Sequence, residues 1–387
     1  MPNYGQPIKS KLPHVGTTIF TVMSALAKEH AAINLSQGFP GFPISLDLIK
    51  RVEYYMNQGY NQYAPMPGVP ELLQRISEKT EFLYGTKYDA KDEITITAGA
   101  TEAIFSSIIA LCAEHDEVII FTPAYDCYSP AVELAGAKAI YVQLHAPDYR
   151  IPWEEVKKLI NRKTKMIMLN TPHNPTGMVL SKNDLLELDR ITKDSQIIVL
   201  SDEVYEHMVF DGERHESVAR YPELANRSVI VASFGKTFHA TGWKLGYVMA
   251  PADLMVEIRK VHQYNVFSVN TPMQYAICDY LDNADNYLYL PSFYQKKRDF
   301  FLEQLTGSLF EWKATEGSYF QLLSYKNISA EKDTEIAIEW TKKNKIASIP
   351  LSVFYHQELD EKMLRFCFAK EETLLKEAGK ILRQIGQ

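Results

Sequence analysis

Residues 228–247 read SVIVASFGKTFHATGWKLGY, and the reading of the first nine decides the fold. Ser228–Ser233 is short, almost wholly apolar and rich in β-branched residues. Such a run suits a strand covered on both faces. Phe234-Gly235-Lys236 follows at once. A lysine delivered by the end of a buried strand is either a snorkelling cation, which composition alone favours, or a working amine. Its neighbours are small, aromatic, hydroxylated or apolar, apart from His239 and a second lysine, Lys244.

Six more runs of the same kind are spaced along the chain: Ile94–Ala98, Glu117–Phe121, Ala139–Leu144, Lys165–Asn170, Ile197–Asp202 and Gly246–Ala250. Amphipathic helical stretches, Thr101–Ala113 and Lys182–Asp194 among them, lie between several of these. Strands alternating with helices predict an α/β fold with a mostly parallel, seven-stranded sheet and flanking helices. Residues 1–45 look loop-rich. After about residue 285 the pattern changes to a long helix (Tyr294–Leu305), short strands near Ser318–Leu323 and an amphipathic helix at the end. The expectation is a large domain over 46–285 and a smaller α+β domain built from 1–45 and 286–387.

The bulk numbers narrow the function. A chain of 387 residues with 46% hydrophobic and 23% charged content is an ordinary globular composition. The net charge of −7 and the lack of any block of like charges give no support for nucleic-acid binding. The four cysteines are scattered, without a CxxC pair or metal-ligand spacing, so reduced thiols and no metal are expected. MPNYGQPIKSKLP has no apolar signal core, and no apolar run approaches the roughly 18 residues of a membrane span. A cytoplasmic location is the expectation.

In an open parallel sheet, ligands bind beyond the carboxyl ends of the strands. Four such ends carry polar groups here: Gly99-Ala100-Thr101, Asn174 in TPHNP, Asp202 with Tyr205, and Lys236. Far apart in sequence, they offer a phosphate-type turn, an amide, a carboxylate with a phenol, and an amine.

SDEVYEHMVF followed by SFGKTFHATGWKLGY resembles the signature of the class I, fold-type I aminotransferases that use pyridoxal 5'-phosphate (PLP). NLSQGFPGFP, NQYAPMPGVPEL, TAGATEAIF, LNTPHNPTG and RFCFAK are similar to that family in the same order, over nearly the whole chain. The branch it most resembles holds bacterial methionine aminotransferase and the kynurenine/glutamine aminotransferases.

The resemblance implies a role for each residue. Lys236 would carry the cofactor through its amine and move the proton at the substrate Cα, help typically worth about 10²–10⁴ in rate. Asp202 would pair with the protonated pyridine nitrogen. Tyr205 and Asn174 would bond the cofactor's phenolic oxygen, and Tyr125 would stack on its ring. Ala100 and Thr101, at a helix start, would take the phosphate, with Ser233 and Lys244 completing that site. Many relatives carry arginine where Lys244 stands; lysine keeps the charge and loses the fork. Tyr63 would reach the phosphate from a second subunit, implying a homodimer with a shared site. Arg365, in an apolar run, would hold the substrate carboxylate bidentately, with Gly38 and Asn174 beside it. The implied reaction moves an amino group from a large neutral or aromatic amino acid (Met, Phe, Tyr, His, Gln or kynurenine) to a 2-oxo acid, ping-pong through pyridoxamine phosphate.

Two alternatives share these features. A PLP-dependent C–S β-lyase has the same fold and nearly the same cofactor residues. A PLP-sensing regulatory domain is disfavoured, because the sequence opens on the small-domain segment and its charge is acidic. No GxGxxG follows the first strand, which counts against a dinucleotide enzyme.

Overall fold

All seven apolar runs form strands of one sheet in the computed structural model, which describes residues 5–357 and 359–387. In chain order the strands are β1 (Ile33–Asn34), β2 (Ile94–Thr97), β3 (Glu117–Thr122), β4 (Lys138–Gln143), β5 (Thr164–Asn170) and β6 (Ile198–Asp202). Then come β7 (Ser228–Ser233), β8 (Gly246–Met249), β9 (Phe320–Ser324), β10 (Ile346–Ala347), β11 (Ile349–Pro350) and β12 (Met363–Cys367). The seven-stranded sheet has the order β2-β8-β7-β6-β5-β3-β4. Only β8 runs against its neighbours, pairing antiparallel with β2 and β7.

The near-continuous hydrophobicity of these strands has a direct cause. Successive side chains point to opposite faces, and both faces are covered. In β5, Met166 and Met168 join one buried cluster while Ile167 and Leu169 join the other. In β3, Val118 and Ile120 go with the former pair, Ile119 and Phe121 with the latter. The helix Ala100–Leu111 supplies Ala103, Ile104 and Ile108 to one side. The helix Pro70–Tyr84 closes the other with Leu72, Leu73 and Ile76.

The remaining strands lie outside the central sheet. β9, β11 and β12 form a three-stranded antiparallel sheet, and β1 pairs in parallel with β10. The N-terminal segment is therefore joined to the C-terminal part by the pairing of β1 with β10. It is less irregular than expected: Ile19–Glu29 is an 11-residue helix, capped by the Thr18 hydroxyl accepting from the Thr21 amide. Ile19, Val22, Met23, Leu26 and Ala27 fall at helical spacing, so the signal was present in the sequence, although only Met23 and Ala27 are fully buried. The long helix also begins earlier than read, at Leu290, with Pro291 in its first turn.

The loop after β6 is tied to the sheet's far side by a buried ion pair. Lys79 Nζ stands 2.7 Å from Glu206 Oε1 and 3.0 Å from the Tyr247 hydroxyl, and Tyr84 also donates to Glu206. Burial alone would push the Glu206 carboxyl up. Lys79, His207 and the Tyr84 hydroxyl outweigh it and hold the group well below its usual 4.5. A carboxyl depressed in this way stabilises the fold at pH values above its unfolded pKa and loses that contribution as pH falls through the folded one. Lys79→Met strands a buried carboxylate, so urea unfolding at pH 7 should show a loss of about 3–5 kcal/mol. The deficit should narrow as pH drops toward 4, where the unpaired Glu206 takes up a proton.

Candidate active site

The sheet register brings the chemistry together. Asn170 at the end of β5 lies opposite Asp202 at the end of β6, and Asp202 lies opposite Val231 of β7. Strand β7 runs on to Ser233, where the short helix Phe234–Thr237 begins and presents Lys236. Ser233 caps this turn, its hydroxyl accepting from the Lys236 amide at 3.3 Å.

Above these ends is a cavity of about 320 Å³. Gly38, Ala100, Thr101, Tyr125, Asn174, Asp202, Tyr205, Ser233, Lys236, Lys244 and Arg365 all line it. Tyr63 does not. It is 81% exposed and packs edge-on against Phe267 with ring centroids 5.3 Å apart. Every other residue singled out from sequence is gathered into one place.

Asp202 is fully buried at the base. Burial raises its carboxyl to about 6, despite hydrogen bonds from the Tyr128 hydroxyl at 2.6 Å and the Val204 amide at 3.3 Å. Such a carboxyl holds its charge best when a cation sits against it. Lys236 shows the mirror effect: withdrawal from water lowers its amine to about 8, with Arg365 and Lys244 adding repulsion. Its Nζ donates to the Tyr319 hydroxyl at 2.9 Å and to the Gly38 carbonyl at 3.1 Å.

Arg365 on β12 enters from the opposite wall, buried to 1% exposure. One guanidinium nitrogen donates to Asn174 Oδ1 at 2.6 Å and the other to the Ser36 carbonyl at 3.2 Å, while Nε has no partner. The guanidinium lies 3.9 Å from the centre of the Phe320 ring. Burial pulls its pKa down to about 10. A buried guanidinium with an idle N–H is short of an anion. Asn174 is held in turn by Asn170, whose Oδ1 accepts from the Asn174 amide at 2.7 Å. Gly38 is glycine for a steric reason: a Cβ there would come within 2.8 Å of the Phe320 ring.

The opposite end suits an anion. The helix Ala100–Leu111 starts at Gly99, which has φ of +78° and no side chain to cap it. Its first N–H groups and dipole face the cavity. Lys244 stands alongside, its Nζ 3.4 Å from where a Cβ on Gly99 would sit. Gly246 lets β8 pass so close that a Cβ would lie 2.6 Å from the Ala232 carbonyl and 3.1 Å from the Ala100 amide. Tyr125 lines the cavity, and burial raises the pKa of its hydroxyl. A helix N-terminus with Lys244 beside it, an aromatic wall at Tyr125, a buried carboxylate and a lowered amine fit PLP in donor chemistry.

Sequence reasoning missed Tyr128, Asn170, Tyr319, Phe20 and Phe320. Tyr128 and Asn170 act through Asp202 and Asn174, and no local pattern marks a residue that holds another. Phe20 belongs to the helix read as loop, and it faces Arg365 at 5.3 Å. The TPAYDCY and EGSYF stretches carry Tyr128 and Tyr319 in plain sight, but among 23 tyrosines neither stood out.

Comparison with known proteins agrees with this geometry. Residues 31–381 match the family model for aminotransferase class I and II. The chain is 48% identical over 378 residues to methionine aminotransferase of Escherichia coli K12, covering 97% of this chain and 98% of that one. It is 31% identical to human kynurenine–oxoglutarate transaminase 1, covering 93% of each. A crystal structure of an E. coli protein with methionine aminotransferase function superposes with a TM-score of 0.96 at 48% identity, covering 98% of this chain and 100% of that one. N-Succinyldiaminopimelate aminotransferase from Mycobacterium tuberculosis superposes at 0.94 with 33% identity, covering 98% and 100%. With this fold, this cavity and these relatives, the chain belongs to the class I and II aminotransferases, the fold-type I enzymes that work through PLP.

Proposed function

We propose that this aminotransferase takes its amino group from a large neutral or aromatic L-amino acid, methionine first, and passes it to a 2-oxo acid in a ping-pong cycle. The observation that carries the reading is Lys236: an amine lowered to about 8, at the end of β7, in the same cavity as the buried carboxylate of Asp202 and the unsatisfied guanidinium of Arg365. Similarity to E. coli methionine aminotransferase supports methionine, and similarity to the kynurenine transaminases supports aromatic donors. The same relatives favour transamination over C–S β-elimination.

Each side chain has a task. When bound, PLP supplies an aldehyde for the Lys236 amine and a ring that accepts electron density from the substrate Cα. Lys236, once free, would take the proton from the substrate Cα and deliver it to the cofactor's C4′ carbon, on the far side of the amino nitrogen. Asp202 holds a proton on the ring nitrogen, a charge its burial rewards by giving the carboxylate a partner. Arg365 binds the substrate carboxylate with Asn174 beside it, filling the idle Nε. Tyr205 and Asn174 hold the phenolic oxygen, and Tyr125 packs on the ring. Ala100, Thr101, Ser233 and Lys244 hold the phosphate.

The same reading divides the chain into a large domain (46–285) and a small one (1–45 with 286–387), with the cavity between them. It also makes the protein a homodimer of the cytoplasm. No helix among the described residues is long and apolar enough to cross a membrane. Support for the dimer comes from exposed aromatics: Tyr63 and Phe267, 81% and 47% exposed, pack edge-on, and Tyr54 and Tyr60, 56% and 40% exposed, both pack against Tyr55. Exposed apolar surface of this kind suits an interaction site, and a second copy would bring Tyr63 to its partner's phosphate seat.

Lys236→Ala should abolish amino transfer and the visible absorbance of the bound cofactor. A panel of amino donors with several 2-oxo acids should rank methionine and the aromatic residues first. Normal turnover by the variant, or preference for aspartate, would overturn the assignment. Covalent loading of apoprotein with PLP needs the neutral amine, so its rate should rise with pH and level off above about 8, falling about tenfold per unit well below that. Sedimentation should give a dimer, and Tyr63→Phe should weaken PLP retention without dissociating it.

A further inference from the structure

Tyr319 stands outside every role assigned above, yet it makes the shortest contacts to the key amine. Its hydroxyl donates to the Gly38 carbonyl at 2.5 Å and accepts from Lys236 Nζ at 2.9 Å. Lys236 also reaches the Gly38 carbonyl, at 3.1 Å. The three groups close a triangle. The Tyr205 and Tyr319 rings meet edge-on with centroids 5.1 Å apart.

The tyrosine is aimed by its backbone. Ser318, just before it, sits at φ +63°, and its amide donates to the Met208 carbonyl at 2.9 Å. Gly317 donates to the Gly177 carbonyl at 2.9 Å, and a Cβ on Gly317 would stand 2.7 Å from the Met208 carbonyl. The turn is thus pinned to the loops after β5 and β6, the loops that carry Asn174 and Tyr205. Tyr319 itself is 0% exposed. A side chain so fixed does not drift to find the amine; the amine comes to it.

We propose that Tyr319 is a positioning residue that receives the Lys236 amine whenever that amine is not bonded to the cofactor, and holds it with Gly38 in reach of the substrate Cα. The inference rests on Lys236 being the amine that carries PLP. Tyr319 hydroxyl accepts one N–H and the Gly38 carbonyl accepts another, so the lone pair or third proton of Nζ is left for the cavity. An untethered lysine has four side-chain torsions to search, and fixing a reacting group in place is worth orders of magnitude in rate. The charged or titratable groups that act on Lys236 from other elements are Cys367 and Arg365 on β12, Asp202 on β6 and Lys244 before β8. None of them changes in Tyr319→Phe.

The test uses that variant in two arms. In apoprotein, Lys236 is carbamylated with limiting cyanate across pH and quantified by peptide mapping against exposed Lys9. Loss of an acceptor disfavours the ammonium, so the labelling midpoint should fall by about half a pH unit, raising relative labelling at pH 7 about threefold. In the PLP-loaded enzyme, kcat with methionine should drop about tenfold with little change in KM. The isotope effect with α-deuterated methionine should rise, because proton transfer becomes slower relative to the other steps. An unchanged midpoint, or an unchanged isotope effect in active enzyme, overturns the proposal. The labelling arm reads out whether or not methionine is a substrate. Failure of wild-type protein to transaminate would defeat the functional reading instead.

Discussion

The organising constraint is the burial of opposite charges at neighbouring strand ends. Asp202 and Lys236 leave β6 and β7 side by side, each with its pKa drawn toward neutrality by withdrawal from water. Burial of an ionisable group is expensive unless something compensates. Here the compensation is incomplete: Asp202 has two hydrogen bonds and no cation in contact, and Arg365 retains an idle N–H. A ligand of complementary charge would lower that cost.

The rest of the molecule keeps those charges where they are. Parallel strands covered on both faces make the sheet rigid, and the alternation of Met166 and Met168 with Ile167 and Leu169 locks its register. A slip of one residue in β5 would reverse both faces and move Asn170 off Asp202. Beneath, the Lys79–Glu206 pair anchors the loop that follows Asp202. Above, β12 and the Tyr319 turn bring Arg365 and a hydroxyl from a separate sheet. The site joins two sheets, so anything that shifts one against the other changes the contacts of Lys236 first.

The aromatic content is used in two ways. Around Arg365, the rings of Phe20, Phe320 and Phe354 lie 5.3, 3.9 and 4.9 Å from the guanidinium and exclude water while tolerating its charge. Low dielectric strengthens the pairing with a carboxylate. On the outside, Tyr54, Tyr60 and Tyr63 carry exposed aromatic surface.

The seven strands, the cofactor family and, Tyr63 apart, the chemistry-bearing residues that line the cavity were legible in the sequence, because each rests on a local signal. Hydrophobic runs mark doubly covered strands, and polar groups at their carboxyl ends mark a ligand site. What remained hidden is whatever depends on a partner distant in the chain. The helix Ile19–Glu29 is an exception, since Ile19, Met23, Leu26 and Ala27 carry a local helical spacing. Tyr128 and Asn170 matter only through the groups they hold, and Tyr319 matters only because Ser318 and Gly317 aim it across 83 residues of chain at Lys236. Residue type and local pattern name the reacting groups. Their protonation and their partners follow from burial and packing, which exist only once the chain is folded.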